Sequence, residues 1–243
     1  MLFLYRTRSA ASPKVLSDVF GVSKPIISRT FLESINPLAS FAHEKILQED
    51  IVGEFCIEST DEICILAIDV TFLVKAPPAT LSFEEKKQYW SPKHYNYGYK
   101  FLCAVDSRGV CVHISKMFPG SVHDVQIARD PLTHDFLSRV TKLYEAKILG
   151  DKGFIGLEAT VPTLTPHRKN SSYVQESMND EIASKRVLVE NNFCRLKTQF
   201  PILSKLGKTP VDFVENLFLT LVYLTNENIK KYPLRKSVSE SQN

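Results

Sequence analysis

Apolar positions in the first fifty residues recur at helical spacing. Ser12-Pro13-Lys14 opens a helix whose apolar face is Val15, Leu16, Val19 and Phe20. Gly21-Val22 breaks it tightly, and Ser23 is a good N-cap for a second helix that tolerates Pro25 in its first turn. Ile26 and Ile27 are expected to point inward, leaving Lys24, Ser28 and Arg29 polar. Beyond residue 49 the pattern changes. Residues 63–68 (ICILAI) form a continuous apolar run, as a doubly covered central strand requires, and Asp69 closes it. Residues 99–105 and 110–117 flank Asp106-Ser107-Arg108-Gly109 as the arms of a hairpin. A turn at Phe118-Pro119-Gly120-Ser121 leads into a helix over 124–129, and a short strand over 146–149 ends at Gly150-Asp151. Helices follow over 186–200 and 211–229.

Strand, hairpin, helix, strand and helix, with acids at the strand ends, is the order of an α/β, RNase H-like mixed-sheet fold. The pattern predicts three parts: a small helical segment over 1–48, the α/β domain over 49–230 and a polar, disordered tail over 231–243. Helix, glycine turn and capped helix is also the helix-turn-helix pattern, whose second helix enters the DNA major groove. On that reading Ser23, Lys24, Ser28 and Arg29 face DNA. The alternative is a helical hairpin that only packs on the rest.

Composition narrows the class without naming it. The chain has 243 residues, 44% of them hydrophobic, enough for one sizeable core. A net charge of +3 does not by itself announce a nucleic-acid partner, but residues 151–243 carry 13 basic and 10 acidic side chains, so the excess lies in the C-terminal part. Five cysteines without a CxxC pair read as small buried thiols of a reducing compartment. The opening segment is interrupted by Arg6 and Arg8 too early for a secretion signal, and no apolar run reaches the ~20 residues of a membrane span. An intracellular, non-secreted protein is expected, which leaves the glycosylation-like triplet Asn170-Ser171-Ser172 without meaning.

The chemistry gathers around the helix over 186–200. At 100° per residue, Arg186, Glu190 and Lys197 fall within about 40° of one another, beside an apolar stripe of Val189, Phe193, Leu196 and Phe200. Taken singly, Asp69 could end a strand, Asp151 could serve a turn, and Glu190 could pair with Arg186. Together they form a candidate carboxylate set for hard Mg²⁺ or Mn²⁺ ions, two of which would suit phosphodiester cleavage. Asp69 would bridge the ions, Asp151 and Glu190 would complete the two sides, and Arg186 and Lys197 would meet phosphate. Lys93 and Lys100, set among Trp90, Tyr95, Tyr97 and Tyr99, make a basic-aromatic stretch suited to DNA, although aromatics beside a sheet are more often core.

AIDVTF, YNYGYKFLCAVDSRGV, FPGSVHD, LGDKGF, TPHRKN and the segment 178–203 follow one another between residues 67 and 203. In that order they resemble the PIF/Harbinger-type DDE transposases and the domesticated nucleases derived from them. The resemblance implies a metal-dependent DNA endonuclease or transposase with Asp69, Asp151 and Glu190 as catalytic and metal-binding triad. It also implies a nuclear or additionally cytoplasmic location, a Myb-like DNA-binding partner protein and possible homo-oligomers. Asp124 is read as a helix N-cap or a group supporting the metal ligands, and His123 as orienting a carboxylate or packing in its turn. Val70 and Ala183 depart from residues common among relatives, which leaves open a catalytically inactive, domesticated protein acting as a DNA-binding or scaffold protein.

Overall fold

The computed structural model describes residues 1–59, 61–167, 173–207 and 209–233. The end of the TPHRKN segment, the Asn170-Ser171-Ser172 triplet and the tail from residue 234 lie outside the described residues. In chain order the elements are α1 (Leu2–Ser9), α2 (Pro13–Phe20), α3 (Lys24–Leu47), β1 (Phe55–Ile57), β2 (Glu62–Val74), α4 (Phe83–Lys87), β3 (Trp90–Ser91) and β4 (Asn96–Val105). There follow β5 (Cys111–Ile114), β6 (Phe118–Pro119), α5 (Asp124–Ala128), α6 (Pro131–Leu143), β7 (Lys147–Leu149), β8 (Thr163–Leu164), α7 (Tyr173–Gln199) and α8 (Val214–Lys231).

The sheet runs β3-β4-β2-β7-β8, with β1 added to β2 and with β5 and β6 added to β4. Strand β2 is its axis, antiparallel to β4 and parallel to β7. This is the mixed α/β, RNase H-like arrangement expected from the sequence. One difference matters: β2 does not stop at Asp69 but continues through it to Val74. Thr71, Phe72, Leu73 and Val74 pair in unbroken register with residues 98–101 of β4, so the ladder carries the charged residue through mid-strand.

A local irregularity sets which way β2 faces. Pairing with β7 shifts register between Cys64 and Leu66. Cys64 belongs to the core under α3, α7 and α8, whereas Ile65 and Leu66 both belong to the opposite core under α5 and α6. After this break in alternation, Ala67 and Leu73 return to the first face, with Phe101, Cys103 and Val105 of β4. Asp69, of the same phase, is thereby placed on the α7 face, because side chains alternate with period two.

The N-terminal helices are tied to this core. Ser12 accepts a hydrogen bond from Val15 N–H to cap α2, and Gly21, at φ 66°, takes the left-handed turn that ends it. Helix α3 is a single 24-residue helix that passes through Pro37. Ile27, Phe31, Ile35, Ala39, Ala42 and Ile46 make its buried stripe, and Phe31, Ile35 and Ile46 share a core with Phe218 and Leu221 of α8. Ile26, expected inside, is 43% exposed, since only its neighbour Ile27 lies on that stripe.

Polar anchors fix the rest. Buried Asn226 of α8 donates through Nδ2 to Cys111 C=O (2.7 Å) and accepts at Oδ1 from Cys111 N–H (2.9 Å), completing the backbone pairing of β5. Buried Asp106 accepts from the N–H groups of Arg108 and Val110, which shapes the β4–β5 hairpin, and from Val52 N–H (3.2 Å), which ties the preceding loop to it. His113 stacks on Phe136 at 4.3 Å, with Nε2 3.3 Å from Thr133 Oγ1.

Burial, helped by Arg139 and opposed by Asp130, pushes the His113 pKa down to about 4 from 6.5. The unfolded chain therefore binds the extra proton first as pH falls. The contribution of this neutral, packed imidazole is complete above about 6.5 and is lost as pH falls from there towards 4. Urea unfolding is expected to show about 2–3 kcal/mol less stability from this group at pH 4.5 than at pH 7. In His113→Gln the pH dependence over that window should flatten by a comparable amount; parallel wild-type and variant curves would refute the assignment.

Candidate active site

Two aspartates reach the site through the parallel pairing of β2 and β7. Ala67 pairs with Leu149, so Asp69 and Asp151 each lie two residues beyond a paired position, side by side at the end of β7. Asp151 Oδ1 accepts from Gly153 N–H (2.8 Å) and caps the short 3-10 turn Lys152–Phe154. Asp69 Oδ1 accepts from Val70 N–H (2.7 Å), and its Oδ2 lies 3.5 Å from Arg186 Nη2.

A third aspartate arrives from the other face of the sheet. Asp124 is the first residue of α5; the N-cap position is taken by exposed His123, whose side chain makes no capping bond. Asp124 is held by Lys100 at 2.9 Å, and the same ammonium donates to Val122 C=O at 2.8 Å. Lys100 is buried, so its charge is directed at Asp124 and not at the surface. Gly153 shows where the acids converge. A Cβ built on it would lie 2.9 Å from Asp151 Oδ1 and 3.0 Å from Asp124 Oδ2. Glycine keeps open the space that the two carboxylates share.

The Asp69 carboxyl bears the electrostatic consequence. Its pKa is raised to about 6, first by burial and then by the charges of Asp151 and Asp124, against the Val70 N–H and Arg186, which favour ionisation. Lys197 lies in the field of Asp69 and of Cys103, the residue paired with Asp69 across β2 and β4. Burial lowers the Lys197 pKa, while Asp69 and Cys103 oppose that fall.

Helix α7 supplies the remaining groups from its position over β2. Val189, Phe193, Leu196 and Phe200 are all buried in the core beneath it, as the apolar stripe predicts. Arg186 is 11% exposed and stands between Asp69 (3.5 Å) and Glu190 (3.7 Å). Its Nε is buried with no hydrogen-bond partner among the described residues. Glu190 has a 56% exposed side chain and reaches the group through Arg186. Among the described residues no three His, Cys, Asp or Glu side chains are drawn together as a preformed metal cluster.

The structure therefore brings together Asp69, Asp151, Asp124, Arg186, Lys100 and Lys197, with Glu190 at their edge. Ser23 and Lys24 are exposed at the start of α3, Ser28 is half-buried, and exposed Arg29 faces Glu33 at 3.9 Å. Lys93 is exposed beside His94. His94 itself escapes sequence reasoning. Its ring stacks on Phe72 at 4.3 Å, and burial followed by the charges of Lys93, Lys100 and Lys197 lowers its pKa, against Asp124. Its ring partner Phe72 lies 22 residues away in sequence, and Asp124 and Lys197 lie further, so no local spacing marks it.

All the carboxylate donors are oxygen, which matches the preference of hard divalent cations, and the Gly153 space and the spare Arg186 Nε are suited to a metal and a phosphate oxygen. A search of curated proteins and of solved structures gives no match. The family model for a DDE superfamily endonuclease matches residues 69–226, beginning at Asp69 and ending at Asn226. That span is more than half of the chain and contains every carboxylate of the site, so the chain belongs to the DDE superfamily endonucleases.

Proposed function

We propose that the chain is a PIF/Harbinger-type, metal-dependent DNA endonuclease or transposase, or a domesticated nuclease of that lineage. The observation that carries the reading is the convergence of Asp151 and Asp124 on the space above Gly153, next to a half-buried Asp69. Stability alone gives no reason to set two acids in the field of a third that is already desolvated.

In this reading Asp69 and Asp151 hold divalent ions, Mg²⁺ or Mn²⁺, with Glu190 closing the set from α7. Asp124 joins the metal-holding acids, a closer role than the capping one its position in the sequence suggests. When bound, two such ions supply Lewis-acid polarisation of the phosphate and charge compensation for the attacking and leaving oxygens. The protein's own residues do the rest. Arg186, whose Nε has no hydrogen-bond partner among the described residues, offers its guanidinium edge to a phosphate oxygen, and Lys197 adds a point charge on the same helix. Lys100 fixes Asp124, and the Val70 N–H fixes one oxygen of Asp69.

The helix α2–turn–helix α3 unit, with Ser23, Lys24, Ser28 and Arg29, is assigned to DNA contact, the boundary with the endonuclease domain falling near residue 48. Because α3 shares its core with α8, such a reading unit is fixed to the nuclease and not tethered to it. A Myb-like partner, self-association and a nuclear location accompany the family reading. The second reading, a DNA-binding or scaffold protein without catalysis, is favoured by one observation: Glu190 is turned to solvent and to Arg186.

Magnesium- or manganese-dependent nicking of supercoiled plasmid tests the choice. Wild type is expected to nick, and Asp69→Asn and Asp151→Asn to lose at least about 100-fold, with Glu190→Gln also strongly impaired. Asp69→Asn should unfold no lower than wild type in chelator, since it removes a desolvated, repelled charge. Equal cleavage by wild type and Asp69→Asn, or none by either on supercoiled, linear and single-stranded DNA, would overturn the endonuclease reading.

Gly153→Ala provides a check on the metal set. Its methyl group would press on Asp151 and Asp124 at about 3 Å, forcing the carboxylates apart. The expected result is at least tenfold weaker Mn²⁺ binding by calorimetry with little change in urea stability. Unchanged Mn²⁺ affinity would mean that these two acids do not share an ion.

A further inference from the structure

The β3–β4 hairpin stands beside the carboxylates, and its tip is built in an unusual way. Trp90 pairs with Tyr97 and Ser91 with Asn96, and His94 N–H donates to Ser91 C=O across the turn. The tip, residues 92–96, is exposed. Tyr95 is 81% exposed, yet its backbone is at φ 48°, in the left-handed region. An aromatic residue is costly at such a position, where glycine or asparagine would be relaxed. No packing recovers that cost, because nearly the whole side chain is in solvent.

The tip is nevertheless held firmly. His94 lies flat on Phe72, with an interplanar angle of 5°. Phe72 in turn fills a slot that only glycines permit: a Cβ on Gly98 would lie 2.4 Å from Phe72 Cζ, and one on Gly120 would lie 3.0 Å from Phe72 Cε2. The anchored His94 feels the charges of Lys100, Lys197 and Asp124, which places the tip at the rim of the acid site. Lys93 adds an exposed cation, and Trp90, 37% exposed and edge-on to Tyr97 at 5.1 Å, adds a second aromatic surface at the base.

We propose that this hairpin is a base-stacking wedge, in which Tyr95 stacks on an unpaired or flipped base next to the phosphate engaged by the carboxylate site. The proposal rests on the reading of that site as one that engages DNA. Anchoring through His94 and Phe72 means that the backbone beneath the aromatic is already in place, which lowers the ordering cost at binding, and base–aromatic stacking tolerates any base. The neighbouring exposed Lys93 suits an adjoining phosphate. The site would accordingly prefer DNA that is locally unpaired over continuous duplex.

The test uses the full chain carrying Asp69→Asn, so that DNA is bound and not cut. Fluorescence anisotropy compares a duplex, the same duplex with a short central bubble containing 2-aminopurine, and the single strand. The expected result is about tenfold tighter binding of bubble and single strand than of duplex, with a change of 2-aminopurine emission on binding. Adding Tyr95→Ala should erase both the preference and the emission change while leaving duplex affinity within about twofold, and Tyr95→Phe should restore them. Tyr95→Asn should erase them equally and leave urea stability unchanged or higher, which a structural role for the ring would not allow. Indifference of all three DNAs to Tyr95→Ala, or equal loss on all three, would overturn the wedge. The outcome separates from that of the nuclease reading: a Tyr95-dependent bubble preference in a protein that nicks nothing would leave the wedge standing and remove the endonuclease, and nicking with no Tyr95 dependence would do the reverse.

Discussion

A carboxylate set in the middle of the central strand is the constraint around which this molecule is arranged. Strand β2 is covered on both faces, so Asp69 is taken from water together with its apolar neighbours, and burial is the largest influence on its protonation. Two further acids, Asp151 and Asp124, raise the cost. The fold answers with a backbone donor at Val70 and with cations brought from other elements, Arg186 and Lys197 from α7. Those cations reach Asp69 only if α7 lies along the same face of the sheet. The apolar stripe from Val189 to Phe200 secures that, so the packing of one helix and the charge state of one carboxyl are a single problem.

Which face Asp69 occupies depends in turn on the register break between Cys64 and Leu66. A slip of one residue sends every following side chain to the opposite face. Without the break, the apolar residues that now point to α7 would point to α5, and Asp69 would face Ile127 and Leu137 instead of Arg186. The same region of β2 places Phe72 against Gly98 and Gly120, and through His94 that contact fixes the β3–β4 hairpin. Site and rim are thus positioned by one strand, which is why they can act on the same stretch of a ligand.

Much of this was legible in the sequence, and the parts that were not share a cause. The runs over 63–68 and 99–105 and the hairpin at Asp106–Gly109 declare themselves by period and turn chemistry, and the 186–200 stripe gives the buried face of α7. Reading ended β2 at Asp69 because a charge normally closes an apolar run; only the ladder to β4, a tertiary partner, shows that the strand continues. The capped start of α3 at Ser23 is local and legible, whereas its length is set by packing on α8, which holds the helix through Pro37. The sequence leaves Asp124 open as a cap or as a group supporting the metal ligands, because its partner Lys100 lies 24 residues upstream. The pattern of the chain reveals what a residue does to its neighbours in sequence, and the site is made of neighbours in space.

The relation between the acids and cations also bears on how one site can be both stable and receptive. Three of the four acids have a cationic partner: Lys100 for Asp124, and Arg186 between Asp69 and Glu190. These partners are not equivalent. Lys100 is buried and holds two acceptors, Val122 C=O and Asp124, so it is committed to structure. Arg186 sits 3.5 and 3.7 Å from its two carboxylates, longer than a charge-assisted hydrogen bond of about 2.7–2.9 Å, and its Nε has no partner among the described residues. Its attraction to the acids is therefore mainly through-space, and little directional bonding is lost if it turns to a better acceptor. A phosphate oxygen, which accepts from a guanidinium in a planar fork, is such an acceptor. Loose pairing at Arg186 and tight pairing at Lys100 divide the work, one keeping the acids in place and the other leaving charge free to meet a substrate.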